Sequence, residues 1–405
     1  MDPPSPDAPP DGTAAVKSPA VLAYPFRLFF VLAGLYGALL APLWLGVVLW
    51  GWPPPGGMDP LRWHVHEMLF GLVAAAIAGF LLTAMCNWTG AAPLRGRGLS
   101  LLALAWLAGR LAPWWPGIPP WAAALLDLVF MLAMTLYVAR VIIASGNRRN
   151  LVMVAVLSLL FIANLLIQLD FSGILPGVAR LAETMAIDLI VLLMVVVAGR
   201  ITPAFTANWL DRHGGQRNRV RQRPGLDRVA IAVTAMMIVA DGFVAAPLAG
   251  ALVALAAAAL NAVRLAGWGG WHCRREPLLW VLHLGYGWIV VALLLKGLGP
   301  WLPGMSSLVW VHAAGVGAMG TLILGVMTRV ALGHTGRPLV LPRGAVAIYG
   351  LVTIAALARL LSAVGWAGYQ LPLMVSGLAF SAAFAMFVVL YWRVLSSPRV
   401  DGRPG

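Results

Sequence analysis

Charge is scarce in this sequence. Only 10% of its 405 residues are Asp, Glu, Lys or Arg, against 61% hydrophobic; a soluble domain carries roughly a quarter charged residues. That scarcity excludes a water-soluble globule and leaves an all-α polytopic membrane protein. Cysteine is nearly missing too, with Cys86 and Cys273 alone. A disulfide framework and a cysteine-ligated metal centre fall away with it. The isolated His272-Cys273 pair is read as solvated loop. Acidic residues are few, 14 against 28 Lys and Arg, which gives a net charge of +14. Such an excess invites a nucleic-acid reading, but the basic residues sit between hydrophobic runs in alternate loops, as membrane topology requires. Residues 1–20 have no apolar core of the signal-peptide kind, and being Pro-rich and polar they read as a disordered cytoplasmic tail.

What is present is a succession of apolar runs. Twelve spans are expected, at 23–50, 60–86, 97–114, 120–143, 149–168, 178–202, 226–244, 247–267, 276–298, 306–331, 342–364 and 371–395. They form one membrane domain over 21–398, followed by a short cytoplasmic tail at 399–405. Eighteen Trp residues, many at the ends of these runs, fit interfacial belts. Only Arg62, Arg110, Arg180, Lys296 and Arg359 fall among the loops and span ends of one side. All other basic residues belong to the opposite side, which the positive-inside rule makes cytoplasmic, with both termini. The Arg-rich segment 212–228 is then a topology determinant in contact with lipid headgroups. Arg27 reads as a snorkelling anchor, and Pro203 as the end or a kink of span six.

The second span carries the chemistry. Asp59-Pro60 is a helix start, and His64, His66 and Glu67 follow within two turns, at the membrane boundary. Polar groups there cost free energy and call for a compensating role, either interfacial packing or metal ligation. The two histidines lie about 200° apart on a regular helix and cannot share a face. His64 shares its face with Glu67, Met68, Gly71, Ala75 and Gly79, a small-residue strip open to a close helix or a flat macrocycle. His66 shares its face with Phe70, Val73 and Ile77.

Sorted by depth, the external third gathers these groups with Asp127 of span four, Glu183 and Asp188 of span six, and His312 of span ten. His66 and His312 lie at matching depth on parallel spans, where two imidazoles can ligate one haem iron. Arg62, Arg110 and Arg359 lie near that level, placed to pair haem propionates. The remaining histidine and Glu67 are the donors expected for copper. A secondary transporter using the buried carboxylates is the alternative. Against it, the loop after span two has no acidic, glycine-bracketed motif of the major facilitator kind. The cytoplasmic ends of spans two, six and ten also echo one another in Gly and Thr, which suggests three four-helix units. His283, nearer the cytoplasmic half, reads as a hydrogen-bonded structural residue.

The stretches RWHVHEMLFG (62–71), GFLLTAMCNWTG (79–90), GRITPAFTANWL (199–210) and VMTRVALGHTGRPL (326–339) resemble the NnrS family. The resemblance runs from the FRLFF stretch to the end of the chain; Leu28 stands where a proline is expected in an FRPFF-like opening. It implies a multi-pass protein of a bacterial inner membrane that binds b-type haem and copper. It further implies a part in the response to nitric oxide, with nitric oxide or a related small molecule as ligand, and no nucleic acid. A more distant similarity is to haem-copper oxidase core subunits, with twelve spans in three arcs and a haem held by histidines of spans two and ten. His64 or His66, with His312, would occupy those places. Span six has no histidine and span seven no His-His pair. An oxygen-reducing centre of the oxidase kind is therefore not expected.

Overall fold

The computed structural model describes residues 19–243, 247–302, 306–365 and 368–402. The expected tail 1–20 lies almost wholly outside the described residues, as do the end of the C-terminal tail and the turn joining spans seven and eight.

The described chain is helical throughout. Its long helices are α1 (Pro25–Trp50), α2 (Pro60–Thr89), α3 (Gly96–Leu111), α4 (Pro120–Ala144), α5 (Leu151–Phe171) and α6 (Ala179–Arg212). Then come α7 (Pro224–Phe243), α8 (Pro247–Gly267), α9 (Pro277–Leu298), α10 (Leu308–His334), α11 (Val346–Val364) and α12 (Gln370–Ser396). Each coincides with an expected span. Among the described residues ten helices are long and apolar enough to cross a membrane, which makes this a multi-pass membrane protein. The two outside that set are α3, of 16 residues, and α7, of 20.

Local chemistry sets several of the helix starts. Asp59 accepts a hydrogen bond from the Arg62 amide at 3.0 Å, and Pro60 fills the first turn of α2. Glu276 and Pro277 open α9 in the same way, the carboxylate accepting from the Leu278 amide at 3.2 Å. Pro203 does not end α6, which continues to Arg212. Loops of like parity meet at each end. At the basic end the Asn147 side chain donates to the Trp88 carbonyl (2.8 Å), and the Val400 amide to the Thr335 carbonyl (3.3 Å). At the other end Trp63 of α2 packs edge-on against Trp114, and Arg62 pairs with Asp170.

Arg27 is not a snorkelling anchor. It is fully buried and donates to the carbonyls of Leu395 (2.8 Å) and Ser397 (2.6 Å), so it fastens the end of α12 to the start of α1. Cys273 is likewise buried rather than solvated, its thiol donating to the Gly270 carbonyl. The glycine strip of α2 receives a helix, not a ring system. A Cβ on Gly79 would stand 2.6 Å from the Phe30 ring of α1, and one on Gly71 2.5 Å from Tyr36.

Both α2 and α10 change winding at the same place relative to their histidines. Glu67–Val73 and Ala313–Gly320 are π-helical, and each begins directly after a histidine, His66 in one case and His312 in the other. Wider π turns leave an α-helix's regular hydrogen bonding and recur at functional sites. They rotate the side chains beyond the histidines away from the faces that a regular helix would assign.

Candidate functional site

Two polar centres flank the start of α2, and the histidines divide between them. His66 faces α4 and α5. Its Nδ1 lies 3.0 Å from Glu67 Oε1, and its Nε2 lies 3.2 Å from Asp127 Oδ2 and 3.0 Å from Asn164 Oδ1. Asn164 and Gln168, one turn apart on α5, donate to Asp127 at 2.8 and 2.9 Å. Arg110 of α3 pairs with both carboxylates, reaching Glu67 at 3.2 Å and Asp127 directly. The Tyr36 hydroxyl of α1 donates to Glu67. All the charged members are nearly buried: His66 4%, Glu67 2%, Arg110 5% and Asp127 5% exposed. Buried charges persist only when paired and hydrogen-bonded, and this cluster satisfies each with an opposite charge. Both imidazole nitrogens of His66 are occupied.

The second centre is a cavity between α2 and α10. His64 and His312 both line it, with Arg359 of α11 and Trp44 of α1. Met68, Leu72, Met319 and Phe380 make its walls apolar, and its volume is about 120 Å³. The His64 ring stacks on Trp44, with centroids 4.2 Å apart and planes at 14°, while its buried Nδ1 has no hydrogen-bond partner among the described residues. His312 Nδ1 donates to the Leu308 carbonyl at 2.7 Å. That fixes the tautomer and leaves Nε2 with a free lone pair, the arrangement commonly found in metal-binding imidazoles. Arg359 is 7% exposed, and its Nη1 also lacks a partner among the described residues. A Cβ on Gly315, in the π-helical turn, would meet nothing within 4 Å. Val73, Met319 and Ile323 line this cavity and also an adjoining apolar one bounded by α2, α6 and α10.

The donor set suits a haem: two imidazoles with available nitrogens, one unpaired guanidinium for a propionate, and apolar walls for the macrocycle. Arg62 and Arg110, expected to share that task, are engaged by Asp170 and by Glu67 with Asp127. Copper fares differently. Glu67 and Asp127 stand at opposite nitrogens of the His66 ring with Arg110 against both, so these donors do not converge on one point. No group of three His, Cys, Asp or Glu suited to a metal ion occurs among the described residues.

The remaining acids are mostly paired. Asp188 and Asp241 share Lys296 at 2.6 and 2.5 Å, and Lys296 lies over the Trp310 ring at 4.2 Å. Glu183 Oε1 and Asp188 Oδ2 have no hydrogen-bond partner among the described residues. His283 donates to the Leu279 carbonyl at 3.1 Å, away from both centres. Tyr36, Gln168 and the role of Asn164 are not foreseen from the sequence; the i, i+4 pair of amides in the apolar run of α5 is a signal for Asn164 and Gln168, and none marks Tyr36.

The fold and site define a multi-pass helical membrane protein with a histidine-lined cavity between two helices that both turn π-helical at its edge. The model of the NnrS family, described as NnrS protein, matches residues 20–399, and the chain belongs to that family. No curated protein compared with it matches.

Proposed function

We propose that this protein binds a b-type haem between α2 and α10, which His64 and His312 would hold. Through it, the protein takes part in the response of a bacterium to nitric oxide, as a nitrosative-stress protein of the inner membrane. The observation that carries the reading is the pair of imidazoles with unengaged nitrogens facing one apolar cavity beside the unpaired Arg359. A haem iron held there would supply a centre that coordinates a small diatomic ligand once one of the two imidazoles gives up its place. The chain's own residues do the holding. The Leu308 carbonyl orients His312, the Trp44 ring orients His64, and Arg359 offers its free N–H to a carboxylate. The adjoining apolar cavity among α2, α6 and α10 offers a nonpolar molecule a route that avoids charge. We place no copper at the His66 cluster, because Glu67 and Asp127 stand at opposite nitrogens of the His66 ring.

An anaerobic optical spectrum of the purified protein tests the reading. A haem spectrum that shifts on addition of nitric oxide is expected, and deletion of the gene should sensitise cells to nitric oxide. A protein that takes up no haem, yet accumulates a substrate in proteoliposomes, would support transport by the buried acids instead.

The reading includes twelve spans in three arcs, with the cavity in the periplasmic half and both termini cytoplasmic. In a background lacking Cys86 and Cys273, cysteines replacing Trp115 or Ile174 should react with an impermeant thiol reagent from the periplasm. Cysteines replacing Arg95 or Asn218 should stay unlabelled in intact cells. The reverse pattern would invert the topology and move the cavity to the other leaflet.

A further inference from the structure

At the basic end, between α7, α8 and the loop beyond α8, lies a cavity of about 640 Å³. It is distinct from both histidine centres. Its lining includes four arginines, Arg219, Arg221, Arg223 and Arg264, and one carboxylate, Asp227. That carboxylate is already taken. Arg264, 4% exposed, donates to Asp227 at 2.7 Å, to Asn261 at 3.0 Å and to the Tyr286 hydroxyl at 2.5 Å. Arg219 reaches the His272 ring at 3.2 Å. The side chains of Arg221 and Arg223 donate to no other described residue. Arg219, Arg221 and Arg223, all exposed, therefore line one cavity with no carboxylate paired to them among the described residues.

The pocket is built rather than incidental. The Arg221 amide donates to the Gly267 carbonyl at 2.7 Å, joining the loop before α7 to the end of α8. A Cβ on Gly267 would come within 2.9 Å of the Arg221 carbonyl oxygen, so the two backbones touch where only glycine fits. This staple fixes the backbone of the arginine-bearing loop beside the end of α8. Guanidiniums with unused N–H groups match the oxygens of a phosphate, which they bind in bidentate fashion.

One wall of the same pocket is apolar. Leu226, Val263 and Ala266 line it, and Val263 is 52% exposed. Farther along, α7 exposes Val229 and Met236, and α8 exposes Leu252, as helices do that face lipid. Trp271, 74% exposed with Arg274 over its ring at 4.7 Å, marks the interface at the pocket's mouth.

We propose that this pocket binds a phosphate-bearing anion, presented by an anionic phospholipid whose acyl chains lie along α7 and α8. Free phosphate carries the same recognised group and is the other source. Thermal unfolding of the purified, detergent-solubilised full chain separates them, with dihexanoyl phosphatidylglycerol, inorganic phosphate and dihexanoylglycerol as probes. The phosphatidylglycerol should raise the midpoint, and inorganic phosphate should do so far less. The double variant Arg221→Gln, Arg223→Gln should need at least about tenfold more lipid for the same shift, having lost charge-assisted hydrogen bonds. Arg140→Gln with Arg393→Gln removes the same charge from exposed positions outside the pocket and should leave the response as it was. An equal shift with inorganic phosphate, lost in the double variant, would overturn the lipid source while keeping the phosphate site. A shift with dihexanoylglycerol as large as with phosphatidylglycerol, or a response that the double variant retains, would overturn the site.

Discussion

Replacing His312 with alanine is expected to yield a protein that purifies without a haem spectrum. His312 is the more firmly held of the two imidazoles facing the cavity, since its Nδ1 is fixed on the Leu308 carbonyl and its Nε2 is free. His64→Ala should also lose or convert the spectrum. His64 depends on a ring stack with Trp44 rather than a hydrogen bond, so a partial loss with altered bands is the expected result there. His66→Ala is the informative contrast. Both nitrogens of His66 face Glu67 and Asp127, so its removal should cost stability while the haem bands persist in whatever protein folds. His283→Ala should leave the spectrum unchanged. Loss of haem in His66→Ala with retention in His64→Ala would transfer the ligand role to the other side of α2 and sink the proposed site.

The second large effect falls on the buried cluster around His66. Arg110→Met removes the guanidinium that meets Glu67 and Asp127, leaving two carboxylates, 2% and 5% exposed, with His66 as their one remaining cationic partner in the cluster. Breaking a buried pair by deleting one partner typically costs about 3–5 kcal/mol. Arg217, paired with Asp211 on the surface at 66% and 41% side-chain exposure, supplies the comparison. There Arg217→Gln should cost about 1 kcal/mol or less. Adding Asp127→Asn to Arg110→Met should recover part of the loss, because it removes the charge left without a partner. Unfolding midpoints of the four proteins check this, and an Arg110→Met variant as mild as Arg217→Gln would show that the cluster is solvated.

The residues legible in the amino-acid sequence alone are those whose position depends on sums along the chain. Hydropathy over a window located the twelve long helices, Asp59-Pro60 located the start of α2, and the alternation of basic loops separated one end of the molecule from the other. Depth is legible for the same reason. A helix advances 1.5 Å per residue, so His64, His66, Asp127 and His312 could be set near one level from sequence position alone. Direction around the helix axis is another matter. Regular winding placed Glu67 and Gly71 on the face of His64, but Glu67 turns to Arg110 and Gly71 to Tyr36. The π turn after His66 redirects the side chains beyond it, and nothing in the local periodicity announced it.

Partners were the other thing the chain order withheld. Arg110 called for a counter-charge, and Asp127 was one of several acids at its depth; only the packing of α3 on α4 made them a pair. The choice between His64 and His66 was decided the same way. Sequence put two imidazoles at one depth on opposite faces of α2. The tertiary structure decided which met α10 across a cavity and which met carboxylates and amides of α4 and α5. A residue's distance along its own helix is a local quantity, whereas its neighbours depend on how distant helices are arranged.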